Sequence, residues 1–151
     1  MKPGHFPGAA IGKACPILLR PGVLGFDILA FRHPLAGLQL VKGTVEAGET
    51  VISAARRELE EEAGIVAAFE NGSVWESADI APGQVWHFVR LESRPLPDRF
   101  THWTRDDDGH LFSFFWWALD EAPDAQWHEI FVRALDEIRR RYGRTAHRGE
   151  A

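Results

Sequence analysis

Two hydrophobic rhythms divide the chain. Apolar runs with a period near two mark strands, and two longer stretches with a period near 3.6 mark helices. Ala14 to Arg20 (ACPILLR) predicts a strand, closed by the turn pair Pro21-Gly22. Phe26 to His33 predicts a second strand, with Phe26, Ile28, Ala30 and Arg32 on one face and Asp27, Leu29, Phe31 and His33 on the other. Apolar residues on both faces imply a sheet covered on both sides. Leu38 to Val41 gives a short strand running into Gly43, and Gly43 to Glu49 is a loop. Thr50 is placed to cap a helix that runs to about Ala63 and stops at Gly64. Ile52, Ala55, Leu59 and Ala63 form its apolar stripe.

Further strands are expected at Ser73 to Ser77, Gln84 to Leu91 and Leu111 to Leu119, with Arg99 to His110 as a polar loop. A second amphipathic helix is expected from about Asp124 to Tyr142. Trp127, Phe131, Ala134, Leu135, Ile138 and Tyr142 lie on its buried side, Arg139 to Arg141 complement its C-terminal dipole, and Gly143 ends it. Strands, a helix, more strands and a closing helix fit an α/β fold arranged as an α/β/α sandwich. Residues 1–151 are expected to form a single domain, with flexible ends at about 1–12 and 144–151.

Composition narrows the function classes. A net charge of −5 argues against nucleic-acid or membrane attraction as the main task. Cys15 is the only cysteine, so an intrachain disulfide is excluded and the residue reads as a small buried side chain. The amino terminus places Gly and Pro where a signal peptide needs an apolar core, and no apolar run approaches the ~18 residues of a membrane span. The expectation is a cytoplasmic protein.

The chemistry concentrates in residues 43–65, GTVEAGETVISAARRELEEEAGI. Gly43, Glu49, Arg57, Glu58, Glu61, Glu62 and Gly64 follow the pattern G-x5-E-x7-R-E-L-x-E-E-x-G-I. Glu58, Glu61 and Glu62 stand at i, i+3 and i+4 and project from one helical face, where like charges repel. Carboxylates so crowded suit a hard cation such as Mg²⁺, which takes oxygen ligands and keeps several waters. A solvated acidic face paired with Arg56 and Arg57 is the alternative for an isolated E-x-x-E-E.

This segment resembles the signature box of the Nudix hydrolases at every defining position. The resemblance implies an α/β/α sandwich with a mixed sheet and a catalytic loop–helix–loop. It further implies that Glu58, Glu61 and Glu62 hold the metal, Mg²⁺ or Mn²⁺, with Glu61 and Glu62 as principal ligands. Arg57 and Glu49 would orient them through a charge-assisted pair, and Gly43 would leave room at the loop. The general base is open among Glu58, Glu62 and the loop candidates Asp107, Asp108 and His110, where Asp106 to Asp108 also read as a solvated turn.

Lys42 and Arg32 are candidates for substrate phosphate, and Trp86 and Trp103 for a nucleobase platform. Trp75, Trp116 and Trp117 are further aromatics available for that platform or the core, and Trp116 and Trp117 also for a dimer interface, so monomer and homodimer both stay open. Many members carry Trp and Pro ahead of the box where this chain has Leu38 and Val41. The expected reaction is Mg²⁺-dependent cleavage of the phosphoanhydride in a nucleoside diphosphate linked to another moiety, such as a nucleoside triphosphate or dinucleoside polyphosphate. The alternatives are a pyrophosphohydrolase of RNA 5′ ends and a binding module that senses nucleotides without cutting them.

Overall fold

The computed structural model describes residues 10–105 and 109–144. In chain order the elements are β1 (Ile11–Ile17), β2 (Leu19–Pro21), β3 (Phe26–His33), β4 (Gly37–Gln39), β5 (Gly43–Thr44) and α1 (Val51–Ala63). They continue with β6 (Val74–Ser77), β7 (Gln84–Arg90), β8 (Phe100–Thr104), β9 (His110–Ala118) and α2 (Glu129–Tyr142). One sheet has the order β5-β1-β7-β6, and the other β2-β3-β9-β8 with β4 also on β3. The β1–β7 pair is parallel and the remaining pairs are antiparallel, so the fold is mixed.

Alternation along β1 and β3 creates two cores. Ala14, Leu29 and Phe31 point to a cluster completed by Ala54, Ala55, Leu59 and Ala63 of α1. Cys15, Ile17, Ile28 and Ala30 point the other way, to Phe131, Ala134, Leu135 and Ile138 of α2. Consecutive strand residues therefore bury against different helices, which gives helix, sheet and helix layers as expected.

Helix α1 begins where Thr50 accepts a hydrogen bond from the Ser53 amide at 3.1 Å. It ends where Gly64, at φ 70°, returns its N–H to the Glu60 carbonyl. The stripe inferred from spacing holds for Ala55, Leu59 and Ala63, while Ile52 is only partly buried and Ala54 joins the core.

Several boundaries differ from the sequence reading. β1 starts at Ile11, three residues earlier than expected, because its parallel partner β7 begins to pair there (Ile11 with Gln84). The expected single strand 14–20 is two, interrupted at Leu18. β4 covers Gly37–Gln39 rather than 38–41.

The polar stretch 99–110 contains a strand, β8. Its alternation of Phe100, His102 and Thr104 inward with Thr101 and Trp103 outward is concealed by polar residue types. Phe100 stacks on Phe114 of β9 at 4.9 Å, which anchors that strand. Helix α2 starts at Glu129, not Asp124, because His128 caps it by accepting from the Ile130 amide at 3.2 Å. Trp127 is buried but precedes the helix. No helix among the described residues is long and apolar enough to cross a membrane.

Candidate active site

Arg57 organises the acidic face of α1. Its Nε donates to Glu49 Oε2 at 2.7 Å and its Nη2 to Glu49 Oε1 at 2.9 Å, a two-pronged pair between helix and loop. Nη2 also donates to the Thr44 carbonyl at 3.0 Å, tying the loop entry to the same guanidinium. Nη1 donates to Glu58 Oε1 at 2.7 Å and to Glu61 Oε2 at 3.3 Å. One arginine thus aligns three of the four box carboxylates.

Glu58 is 7% exposed, an unusual depth for a glutamate. Its carboxyl occupies the space that a side chain at Gly43 would fill. Gly43 is not among the glycines with positive φ, so position 43 is constrained by close approach rather than backbone conformation.

The Arg57 hydrogen bonds, followed by the Glu46 amide donated to Glu49 Oε1 at 3.1 Å, lower the Glu49 pKa from 4.5 to about 2. The Arg57 guanidinium is raised further above its already high value, chiefly by Glu49. A depressed carboxylate stabilises the fold above its unfolded pKa and loses that contribution as pH falls through the folded one. Glu49→Gln should therefore be less stable than wild type at neutral pH, by a margin that shrinks as pH drops below about 4.5 toward about 2. Urea midpoints of both proteins from pH 7 to pH 3 measure this, and a constant gap contradicts it.

A cleft of about 630 Å³ opens beside this cluster, lined by Lys13, His33, Lys42, Thr44, Glu58 and Glu62, among others. Lys42 and Gly43 therefore stand with the box carboxylates. His110 packs against His33 at 4.9 Å, at the margin of the same cleft. Asp107 and Asp108, with Asp106, lie outside the described residues.

Arg32 faces away. As the neighbour of His33 on β3 it projects from the opposite face, into a second cleft of about 650 Å³, and donates to Gln126 Oε1 at 2.8 Å. Trp86 is fully buried among Phe88 and Phe131 with its indole N–H on Gln84. It is core, and the base platform suggested for it is corrected: its apolar strand position is filled by packing. Trp103 is 61% exposed on β8 and packs over Gly109, outside the residues lining the carboxylate cleft.

Trp116 and Trp117 are partly buried within the chain. Trp116 donates to the Pro97 carbonyl, and Trp117 donates to the Glu121 carbonyl and meets Trp127 edge-on. Cys15 is buried, and burial pushes its thiol pKa up, so it is an inert core residue.

Lys13 is the cleft residue that spacing did not reveal. The signal was its charge inside the otherwise apolar strand IGKACPI. Its Nζ donates to Thr44 Oγ1 at 2.8 Å. Burial lowers its pKa first, the charge of Lys42 adds to that, and Glu58 opposes it.

Among the described residues, no three carboxylate, imidazole or thiol groups already stand gathered around an ion position. Arg57 pairs with both Glu58 and Glu61. The donor chemistry nevertheless fits a hard divalent cation. Carboxylates at 58, 61 and 62 share a helical face, Glu58 and Glu62 both line the cleft, and Glu61 is exposed enough to change rotamer.

A mixed α/β/α sandwich whose central helix presents arginine-braced carboxylates to a lysine-bearing cleft defines an enzyme for phosphate-containing substrates. The NUDIX domain family model matches residues 18–135, and the chain belongs to that family. It is accordingly a hydrolase acting on pyrophosphate bonds. Among solved structures it is similar to a MutT NUDIX hydrolase from Burkholderia pseudomallei, with 25% identity, a TM-score of 0.54, and coverage of 85% of this chain and 98% of that one. The NUDIX domain of Shewanella oneidensis NrtR, complexed with ADP ribose, shares the fold at 13% identity and a TM-score of 0.60, covering 93% of each chain. A NUDIX hydrolase from Nitrosomonas europaea does so at 19% identity and a TM-score of 0.58, covering 91% of this chain and 73% of that one. No curated protein sequence matches the chain.

Proposed function

We propose that the cleft beside α1 cleaves the pyrophosphate of a nucleoside diphosphate linked to another moiety. The products would be a nucleoside monophosphate and a phosphorylated remainder. The carrying observation is the Glu58 carboxyl seated in the space left by Gly43, clasped by Arg57 and facing the cleft with Glu62 and two lysines.

Glu58, Glu61 and Glu62 would hold Mg²⁺, or Mn²⁺ in its place. When bound, the ion supplies neutralisation of phosphoryl charge and a more acidic water. Arg57, anchored by Glu49, fixes the Glu58 side chain and restrains Glu61, so less rotamer freedom is lost when they take up a ligand. Glu62 lines the cleft and is the box carboxylate suited to accept a proton from the attacking water. Lys42 lines the same cleft and would meet a phosphate oxygen there.

An enzyme of RNA 5′ ends would draw on the Arg139–Arg141 run as its basic surface, and that run is engaged on α2. Arg139 bonds Asp136 and the Leu119 carbonyl, Arg140 pairs with Glu137, and Arg141 lies over Trp75. The test is a phosphate-release panel with Mg²⁺ and with Mn²⁺. It spans nucleoside triphosphates, dinucleoside polyphosphates, ADP-ribose, nucleotide sugars and capped RNA. Turnover of at least one class is expected, abolished by EDTA and restored by excess Mg²⁺. Tight binding with no hydrolysis of any of them would overturn the catalytic reading in favour of a nucleotide sensor.

A further inference from the structure

Two ammonium groups share the carboxylate cleft. Lys13 on β1 lies directly opposite Thr44 on β5 in the antiparallel register, and its Nζ is held by Thr44 Oγ1 at 2.8 Å. Lys42 lies one residue before β5 and lines the same cleft, near enough for its charge to act on Lys13. Glu58 and Glu62 line the cleft with them, and the Glu58 charge acts on Lys13 against that of Lys42. Like charges held close in a partly desolvated site repel, and an anion placed between them removes that cost. Thr44 fixes one of the two before any ligand arrives, which reduces the entropy lost on binding.

We propose that Lys13 and Lys42 form a clamp for an additional phosphate next to the bond being cut, making Lys13 a determinant of preference for chains of three or more phosphates. The proposal rests on the pyrophosphohydrolase reading of this cleft and deepens it. The box carboxylates with their divalent ion account for the charge at the reacting bond. A further phosphate brings up to about two more negative charges near neutral pH, and two ammonium groups match them. A diphosphate bridge flanked by two sugars, as in ADP-ribose or a nucleotide sugar, has no such phosphate to offer.

The test compares wild type, Lys13→Met and Lys13→Arg, with melting temperature as the folding control. Steady-state kinetics use a nucleoside triphosphate, a dinucleoside polyphosphate and ADP-ribose, and direct titration uses inorganic tripolyphosphate and inorganic phosphate. Lys13→Met should raise KM for the polyphosphate substrates roughly tenfold or more, the expected loss of a charged hydrogen bond. Its kcat should stay within about twofold, because the clamp binds ground and transition states alike. Tripolyphosphate affinity should fall by a similar factor and inorganic phosphate affinity by much less. Lys13→Arg should recover most of the loss.

Should Lys13→Met fold poorly, Thr44→Val releases the Lys13 anchor without touching its charge and should raise polyphosphate KM by a smaller factor. Unchanged KM and tripolyphosphate affinity in folded Lys13→Met overturn the clamp, as does an equal loss for ADP-ribose. Those outcomes leave hydrolysis by wild type intact. A wild type that cuts nothing but binds tripolyphosphate through Lys13 instead overturns the hydrolase reading and keeps the clamp.

Discussion

Replacing Glu62 by Gln will cut turnover by about a thousandfold while leaving the melting temperature near that of wild type. The substitution keeps shape and helix propensity but removes a charge from a carboxylate that lines the cleft. A divalent ion contributes several kcal/mol to stabilising charge on a phosphoryl group, and each ~1.4 kcal/mol lost is a tenfold loss in rate. The Arg57–Glu49–Glu58 lattice that braces the helix against its loop is built from other carboxylates, and neutralising Glu62 should spare it. Glu61→Gln should act in the same direction, with an added small effect from its 3.3 Å bond to Arg57. Phosphate release under saturating Mg²⁺ measures both. Near-wild-type rates in the two variants together would sink the assignment of these glutamates as metal ligands.

The second large effect is expected at a residue with no side chain. Gly43→Ala places a methyl group on the Glu58 carboxyl, which is buried and pinned to Arg57 and cannot easily swing aside. Expelling that carboxyl should cost about 1–3 kcal/mol of stability by overpacking. It should also lower activity at least about a hundredfold, since both a proposed ligand and its alignment are lost. Because the backbone at 43 does not need positive φ, the damage is one of space. The double variant Gly43→Ala/Glu58→Ala should therefore regain stability without regaining turnover. Urea denaturation and phosphate release separate the two effects, and a single variant that melts and turns over like wild type would refute the close-packing account.

Both predictions show how site and fold share one helix. Ala55, Leu59 and Ala63 bury one flank of α1, and Glu58, Glu61 and Glu62 occupy the flank beside it. That division could be read from spacing, because residues three and four apart share a face whatever the helix docks on. Thr50 and Gly64 were legible for a similar reason: capping is local chemistry between neighbours in sequence. Strand β8 was not legible, since its Thr and His look polar until Phe100 finds Phe114 across the sheet.

The amino-acid sequence by itself determined the family, the layered α/β arrangement and the position of the acidic helix. All three depend on local periodicity or on a motif whose residues are close in the chain. Tertiary structure alone decided which distant residues join that motif. The antiparallel register of β1 with β5 brings Lys13 opposite Thr44, thirty-one positions away, and so into the cleft. Strand alternation turns Arg32 out of the cleft and His33 into it. Packing between sheet and α2 seals Trp86 in the core. Register and burial are set by pairing across the whole fold, so a local pattern contains the reaction chemistry but not the set of groups that meets the substrate.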